Sequence, residues 1–201
     1  MVINMSQYFD NVELKSNIKK YKTRIFDKEF CFNTDNGVFS KGKLDFGTRS
    51  LLESIPISEL HGRVLEVGCG YGVIPIILSK VTNDNIIYEG VDINKRALHL
   101  ANINIKENKC SNITFYESNC YERVKDKYDY IITNPPIRAG KNVVYKIVFG
   151  AKEYLNNNGE LYIVINKDQG AKSLFKELEN EYKVTLLSKN KGFWVIKCIL
   201  R

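Results

Sequence analysis

The sequence lacks long apolar runs, internal repeats, low-complexity tracts and extended linkers across its 201 residues. No stretch approaches the ~20 apolar residues that a membrane-spanning helix requires, and the N-terminal residues lack the apolar run of a signal peptide. We therefore expect a protein of the cytoplasm with no membrane contact. The length suits one α/β domain with a sizeable core, with room for a small extension.

Cysteine and histidine are scarce and scattered. The five cysteines are odd in number and form no Cys-x-x-Cys pair, which argues against a disulfide framework or a zinc site and fits a reducing compartment. The two histidines, His61 and His99, have no motif around them, so we interpret both as structural or surface residues. We expect no metal site.

Basic residues outnumber acidic residues by 30 to 23, which gives a formal net charge of +7. They cluster at Lys15, Lys19, Lys20, Lys22 and Arg24, at Lys41 and Lys43, and at Arg138, Lys141 and Lys146. A positive surplus favours a polyanionic partner, although an ordinary solvated surface explains any single cluster equally well. The charge alone therefore does not identify a polyanionic partner, and the motifs must supply the main evidence.

From residue 63 onward, short β-branched runs alternate with longer amphipathic stretches. Strands are predicted at 63–67, 85–93, 112–117, 128–133, 160–166, 183–189 and 192–200, and helices at 72–81, 94–108, 142–155 and 169–182. Such alternation predicts a parallel sheet with helices on both faces. The last two strands, joined by a tight turn at Asn190-Lys191, must pair antiparallel. The expected fold class is α/β, with a Rossmann-like, mostly parallel seven-stranded sheet that ends in an antiparallel hairpin.

The first sixty residues follow another pattern. Residues 23–34 resemble a hairpin with strands on either side of Asp27-Lys28. Residues 37–55 read as a loop that leads into a helix from about Thr48. We therefore expect a small N-terminal lobe at 1–60, packed on a main domain at 61–201.

A glycine-rich loop, "LEVGCGYG", lies between the first strand of the main domain and its helix. Gly68, Gly70 and Gly72 alternate, and Glu66 lies at the end of the strand. Glycine lets backbone N–H groups approach a ligand closely. The spacing fits neither the dinucleotide fingerprint nor the P-loop. A preceding carboxylate with alternate glycines better suits a ligand that carries an ammonium group and a ribose.

Two further polar residues end the next two strands. Asp92 lies twenty positions after Gly72, where an acid can accept hydrogen bonds from both ribose hydroxyls; it could also simply cap the following helix. Asn119 follows the third strand and could contact an adenine edge, or it could be a turn residue. Both are candidate cofactor ligands.

The segments "VLEVGCGYG", "GVDIN" and "TNPP", in this order, resemble class I S-adenosylmethionine-dependent methyltransferases. "GVFSKGKLDFGT" and "NPPIRAGK" are similar to the small methyltransferase domain of the RsmC type, which methylates guanine N2 of 16S ribosomal RNA. The resemblance extends from about Gln7 to the end. It implies S-adenosyl-L-methionine as cofactor and 16S rRNA or the small ribosomal subunit as partner. Some members carry a second, degenerate domain, for which this chain has no room. Across amine methyltransferases the position after Asn-Pro-Pro is often Phe or Tyr, whereas this sequence has Ile137.

The strand at 128–133 ends in Asn134, Pro135 and Pro136, where two prolines forbid both helix and ladder pairing. In a methyltransferase, the side-chain oxygen of Asn134 and the carbonyl of Pro135 could accept hydrogen bonds from an amine whose lone pair is delocalised into a base. A capped turn that only terminates the strand is the structural alternative. With the glycine loop and Asp92 upstream, we predict that these three residues are catalytic.

Other candidates surround this corner. Asp45 could contact the methionine ammonium and Phe46 could line the substrate pocket, while Arg138 and Lys141 could bind phosphates. Arg138 and Lys141 could equally be surface residues. A guanine in structured RNA must be unstacked to reach the site. Phe39, Phe46 and Trp194 are candidate stacking partners, although each could be a core aromatic.

Several functions share these motifs. The enzymatic alternatives are glutamine-N5 methylation of release factors and adenine-N6 methylation of RNA; both usually bring an aromatic residue after Pro136. A non-catalytic RNA-binding module is the alternative from another class. Intact motifs and positive charge favour an RNA methyltransferase that acts on guanine N2.

Overall fold

The structure is a computed structural model that describes residues 15–40 and 42–201. The strands are β1 (Lys19–Ile25), β2 (Lys28–Thr34), β3 (Arg63–Val67), β4 (Ile87–Asp92), β5 (Ile113–Glu117), β6 (Tyr128–Thr133), β7 (Leu155–Asn166), β8 (Tyr182–Asn190) and β9 (Phe193–Leu200). The α-helices are α1 (Phe46–Ser54), α2 (Val73–Val81), α3 (Lys95–Glu107), α4 (Lys141–Gly150) and α5 (Ala171–Leu178). No helix in these residues is long and apolar enough to cross a bilayer.

Seven strands form one sheet in the order β5-β4-β3-β6-β7-β9-β8, and β1 pairs with β2 in a separate hairpin. The strands from β5 to β7 pair in parallel, whereas β9 pairs antiparallel with both β7 and β8. Parallel neighbours require crossover connections, which here contain helices. The predicted α/β fold, a mostly parallel seven-stranded sheet with a terminal antiparallel hairpin, is confirmed.

The central strands are apolar because both faces of the sheet are covered. Four of the five residues of β3 and five of the six residues of β6 are buried, whereas a strand covered on one face would alternate. Helices α1, α2 and α3 share one core cluster with the β1-β2 hairpin, and α4 and α5 share the other. The sheet therefore separates two cores, and its edges are left for ligands.

Both hairpin turns lie one residue away from their predicted positions. The first turn falls on Phe26-Asp27, not Asp27-Lys28, and the second falls on Lys191-Gly192, not Asn190-Lys191. All four residues have positive φ, from 45° to 86°. Two successive positive φ values match the twist of the flanking strands. The first turn has no glycine, so its position has no signal in the sequence.

Other element boundaries also differ from the prediction. β7 begins at Leu155 instead of residue 160, so the predicted turn at 156–159 lies within the range of the strand, with positive φ at Asn158. α4 ends at Gly150, five residues early, and α5 is confined to its central eight residues. These differences do not move the carboxyl ends of the parallel strands.

A fully buried asparagine joins the N-terminal hairpin to the rest of the fold. The side-chain oxygen of Asn104 in α3 accepts hydrogen bonds from the backbone and side-chain N–H groups of Asn33, at 2.7 and 3.1 Å. Its amide group donates to the carbonyls of Asn33 at 3.1 Å and Tyr71 at 3.0 Å. One side chain thus fixes hairpin, helix and glycine loop together. The division of the chain into 1–60 and 61–201 stays a prediction.

We predict that Asn104→Ala lowers the free energy of unfolding by about 2–4 kcal/mol, because it leaves buried polar groups of Asn33 and Tyr71 without partners. Urea unfolding followed by circular dichroism measures this change. Asn102→Ala, at an exposed position of the same helix, is the matched control and should change stability by less than about 0.5 kcal/mol. Equal unfolding midpoints for Asn104→Ala and wild type would contradict the role of this network.

Candidate functional site

Three neighbouring strands bring polar residues to one edge of the sheet. β3 carries Glu66 and leads into the glycine loop (residues 68–72), β4 ends at Asp92, and Asn134 follows β6. β3 lies between β4 and β6, at the point where the strand order reverses. Ligands of open α/β sheets bind outside the carboxyl ends of the strands at such a point. The structure therefore brings the three predicted motifs together.

Hydrogen bonds hold the glycine loop against the end of β4. The N–H group of Gly68 donates to the carbonyl of Val91 at 2.8 Å. The N–H group of Gly70 donates to the carboxylate of Asp92, also at 2.8 Å. Asp92 thus shapes the loop as well as facing the site.

The glycines of the loop are needed for different reasons. A Cβ atom at Gly72 would lie 2.6 Å from the ring of Phe115, so this position has no room for a side chain. Gly70 has φ of 53° and a Cβ atom there would meet nothing within 4 Å. Gly70 therefore leaves open space beside the loop, where a ligand can approach the backbone.

Two carboxyl groups lie beneath the loop. Glu66 is buried, and its Oε2 atom has no hydrogen-bond partner among the described residues. Burial raises the pKa of Glu66 well above its usual range, and the charge of Asp92 raises it further. Burial also raises the pKa of Asp92, although hydrogen bonds from the N–H groups of Asn94 and Gly70 act in the opposite direction. Negative charge at this edge is therefore unfavourable until a cation or a donor arrives.

These features fit the predicted cofactor, S-adenosylmethionine. Glu66 has an oxygen without a donor, which a ligand or a bridging water could satisfy. Each oxygen of Asp92 accepts one N–H group at 2.8 Å and keeps a lone pair for a ribose hydroxyl. Gly70 provides the open space. We keep the cofactor-binding roles of these residues as predictions that agree with the geometry.

The amide of Asn134 has a defined orientation. Its Nδ2 atom donates to Thr48 Oγ1 at 3.0 Å and to Asp45 Oδ2 at 3.3 Å. A carboxylate can only accept, so the nitrogen must face Asp45. The oxygen of the amide consequently points elsewhere, and it has no hydrogen-bond partner among the described residues. Asn134 therefore presents an acceptor at the edge of the sheet.

The two prolines fix the backbone after this amide. The carbonyl of Pro136 accepts a hydrogen bond from the N–H group of Ala139 at 2.9 Å. The carbonyl of Pro135, in contrast, has no partner in the part of the chain that the structure describes. A Cβ atom at Gly68 would lie 3.7 Å from Pro136 Cδ, so the corner and the glycine loop are neighbours. Two free acceptors thus lie beside the predicted cofactor site.

Asp45 and Phe46 begin α1 next to this corner. Asp45 Oδ2 caps the helix by accepting from the N–H group of Thr48 at 3.0 Å. Its Oδ1 atom has no partner among residues 15–40 and 42–201, which leaves it available for the predicted ammonium contact. The ring of Phe46 packs against Phe193, with 5.8 Å between centroids. Both assignments stay predictions.

The other predicted ligand-binding residues differ in whether their side chains already contact other residues of the protein. Asn119 is exposed, and its amide donates to Glu122 at 2.7 Å. The ammonium of Lys141 lies over an aromatic ring of α4 and 3.8 Å from Glu177. Arg138 is exposed and forms no ion pair with any described residue. Asn119 and Lys141 would have to exchange these contacts to bind a ligand, whereas Arg138 would not.

The candidate stacking residues lie in different environments. Phe39 is 57% exposed. Trp194 is half-buried, packs against Phe175 and carries the ammonium of Lys189 at 3.9 Å from its ring centroid. Phe46 directly follows Asp45, whose carboxylate contacts Asn134 at the predicted catalytic corner. It is therefore the best placed of the three for a base at that corner.

Sequence reasoning missed Thr48, which was considered only as the start of a helix. The helix begins earlier, at Phe46, and Thr48 instead supplies the hydroxyl that orients Asn134. An acid three positions before a residue that opens a helix is a capping pattern, and this signal could have placed Asp45 and Thr48 on one turn. The contact with Asn134 itself is tertiary and left no trace in the sequence.

The two histidines have no hydrogen bond with Asn134 among the described residues. His61 precedes β3 and contacts the hydroxyl of Tyr130 at 2.9 Å, at the opposite end of the strand. His99 is exposed on α3. His61 therefore lies away from the corner formed by Asn134.

A seven-stranded sheet with this strand order and a glycine loop and acid at its switch point define a class I methyltransferase. A family model described as "Methyltransferase small domain" matches residues 29–197. The chain belongs to this family. Membership confirms the predicted class and, with it, S-adenosylmethionine as the methyl donor.

Individual relatives narrow the comparison. The uncharacterized protein YbxB of Bacillus subtilis is 41% identical over 193 residues, which are 94% of this chain and 96% of YbxB. Ribosomal RNA small subunit methyltransferase C of Psychromonas ingrahamii is 33% identical over 92% of this chain and 52% of its own length. The chain thus spans about half the length of that relative.

Solved structures share the fold of this chain. The 16S rRNA N2 G1207 methyltransferase (RsmC) of T. thermophilus, in complex with AdoMet and guanosine, superposes with a TM-score of 0.78 and 24% identity. The match covers 94% of this chain and 52% of that protein. A ribosomal protein L11 methylase from Lactobacillus delbrueckii superposes with a TM-score of 0.66 at 18% identity, over 77% of this chain and 78% of its own. Both likenesses establish the fold.

We predict that Glu66→Gln stabilises the cofactor-free protein at neutral pH. The pKa of Glu66 is raised in the folded state. The contribution of Glu66 to the free energy of unfolding is therefore fully present below the unfolded pKa of about 4.3, and it is lost as the pH rises towards the folded pKa. The variant should therefore gain stability relative to wild type as the pH increases from about 4 to 7, by up to ~1.4 kcal/mol per pH unit.

Thermal or urea unfolding at several pH values measures this difference. The exposed acid Glu179 provides the control, since Glu179→Gln should change stability by the same small amount at every pH. A Glu66→Gln difference that does not vary with pH would contradict the burial argument.

Proposed function

We propose that the protein transfers the methyl group of S-adenosylmethionine to an exocyclic amine, most specifically guanine N2 of 16S ribosomal RNA. The observation that carries this proposal is the orientation of Asn134, whose nitrogen is held by Asp45 and Thr48 at 3.3 and 3.0 Å. The oxygen is thereby left as an acceptor next to the free carbonyl of Pro135. Release factor glutamine and RNA adenine remain the enzymatic alternatives.

Two acceptors address the chemical difficulty of an arylamine. Its nitrogen is a poor nucleophile because the lone pair is delocalised into the ring. Hydrogen bonds from its two N–H groups to Asn134 Oδ1 and the Pro135 carbonyl favour the pyramidal nitrogen of the transition state. The bound cofactor supplies a methyl group on a positively charged sulfur. The proline backbone and the oriented amide are fixed before the substrate arrives, so little reorganisation is needed.

The protein needs no ionised base before the methyl group is transferred. The amine proton becomes acidic only as the new N–C bond forms, and it can then leave to solvent through the accepting oxygen. The position of His61 at the opposite end of β3 agrees with this mechanism. The main contribution of the protein is alignment of the amine with the methyl group, which can supply a large part of the rate enhancement.

Several observations support an RNA substrate. The relatives of Psychromonas ingrahamii and Haemophilus influenzae, at 33% and 36% identity, are named as ribosomal RNA small subunit methyltransferase C. The solved RsmC complex contains guanosine. The net charge of +7 suits 16S rRNA or the small ribosomal subunit as partner. The cytoplasmic location that we expect agrees with such a partner.

Asn134→Ala should lower kcat by at least about 100-fold, because it removes one of two preorganised acceptors, while the dissociation constant for S-adenosylmethionine changes little. Single-turnover methylation of 16S rRNA with radiolabelled cofactor, combined with calorimetry of cofactor binding, separates these two effects. Near-normal turnover by Asn134→Ala would exclude the acceptor role.

The matched variant is Thr48→Val, which keeps the side-chain shape and leaves Asn134 in place. It removes the 3.0 Å contact to the amide nitrogen, so kcat should fall by about 10- to 100-fold with little change in KM. Ser54→Ala, at the other end of the same helix, should leave both constants unchanged. A Thr48→Val enzyme with wild-type kcat would show that the amide needs no such orientation.

We also predict that a strain without the gene lacks one N2-methylguanosine in its 16S rRNA. Mass spectrometry of nuclease digests detects the loss, and the wild-type gene should restore the modified base where a gene encoding Asn134→Ala does not. In vitro, naked 16S rRNA, assembled small subunits and a release factor are compared as methyl acceptors. Unchanged rRNA together with methylated release factor would replace guanine by glutamine as the substrate.

A further inference from the structure

Some lysines of this basic protein form ion pairs with carboxylates, whereas others, including the two at the tip of the terminal hairpin, form none among the described residues. Paired examples are Lys20–Glu107, Lys22–Glu29, Lys146–Glu122, Lys152–Glu181 and Lys197–Glu160. Lys189 and Lys191, at the β8-β9 turn, are exposed and have no carboxylate within 4 Å among the described residues. Their positive charges are therefore not neutralised by the protein.

Each of these two ammonium groups lies over an aromatic ring. Lys189 Nζ is 3.9 Å from the ring centroid of Trp194, and Lys191 Nζ is 4.9 Å from that of Phe46. A cation over a ring face is attracted electrostatically, so two flexible side chains are held in defined places. A contact with an aromatic ring is not a conventional hydrogen bond. Both ammonium groups therefore keep N–H donors for a ligand.

The tip lies at the same edge of the sheet as the catalytic corner. Phe193 pairs with Asn166 at the carboxyl end of β7, and the carbonyl of Gly192 accepts from the N–H group of Lys167 at 2.7 Å. Phe46, beneath Lys191, directly follows Asp45, which holds the amide of Asn134. Lys191 is therefore connected to Asn134 through Phe46 and its neighbour in sequence, Asp45.

We propose that the β8-β9 tip binds RNA phosphates beside the target nucleotide, through Lys189 and Lys191. The inference rests on the proposed function in taking RNA as the substrate. A base turned out of its stack into the corner leaves its flanking phosphates outside the pocket, near this edge. Lysine binds phosphate as a point charge without reading sequence. The tip thus positions the strand while the corner reads the base.

Other charges on this edge are consistent with a polyanionic partner. Lys167 lies next to the tip and Arg138 follows the catalytic corner; both are exposed and neither forms an ion pair with a described residue. Asp168 is the adjacent acid, and it is likewise unpaired. Positive charge is in excess, and it extends from the tip towards the corner.

The test measures RNA binding directly, without methyl transfer. A fluorescein-labelled single-stranded RNA of about twelve nucleotides with one central guanosine is titrated with Lys189→Gln/Lys191→Gln, with wild type and with a control. Each lost phosphate contact should reduce the slope of log K against log salt by about 0.7. The double variant should therefore lose about 1.4 from this slope and bind roughly tenfold more weakly near 0.1 M salt.

Lys127→Gln/Lys183→Gln is the control, because it removes two exposed lysines at the opposite edge of the sheet. It should bind RNA like wild type if the tip is specific. An equal loss in both double variants, or none in the tip variant, would overturn the proposal. Methyl transfer by Asn134→Ala is measured in a separate assay: if this variant keeps near-normal turnover but the tip lysines still carry RNA affinity, the proposed acceptor role fails and the RNA surface stands.

Discussion

Two hydrogen bonds donated by one amide nitrogen connect the N-terminal part of the chain to the predicted catalytic corner at the end of β6. Asp45 is fixed because it caps α1, and its carboxylate together with Thr48 then fixes Asn134. The direction of the free amide oxygen follows from this sequence of constraints. α1 must therefore dock closely, and Gly47 makes this possible, since a Cβ atom there would lie 2.8 Å from the ring of Phe193.

On the opposite side of the site, two carboxyl groups are buried at a cost in free energy. Glu66 and Asp92 approach one another under the glycine loop, and burial raises the pKa of both. A fold selected only for stability would not keep a carboxyl oxygen buried without a donor. Perturbed carboxyl groups in a cleft are typical of functional sites. If the predicted cofactor binds there, its donors and positive charge would recover this free energy, and the same residues would account for both instability and affinity.

The sequence was sufficient for the elements that depend on local pattern. Periodicity and alternation predicted the seven strands, the crossovers and the terminal hairpin, and the motifs at the strand ends placed Asp92 and Asn134 at one edge. The turn at Phe26-Asp27 was predicted one residue away from its position, because positive φ at these two residues has no signature in composition. The contact of Thr48 with Asn134 could not be predicted, since it depends on how α1 docks. The local sequence pattern predicted which residues lie at the candidate site, and tertiary packing determines how their side chains are oriented.

The residue after the two prolines shows why the terminal hairpin is important to this site. Ile137 is half-buried and lines a cavity of about 220 Å³ with Val144 and Leu174, so its side chain packs on the core of α4 and α5. It offers no aromatic face to a base. Support for a flat base must then come from the other side of the corner, where Phe46 packs on Phe193. β9 carries Phe193, and the adjoining turn carries the lysine over Phe46. The proposed base stacking by Phe46 and the proposed phosphate binding by Lys191 would therefore both depend on one antiparallel hairpin.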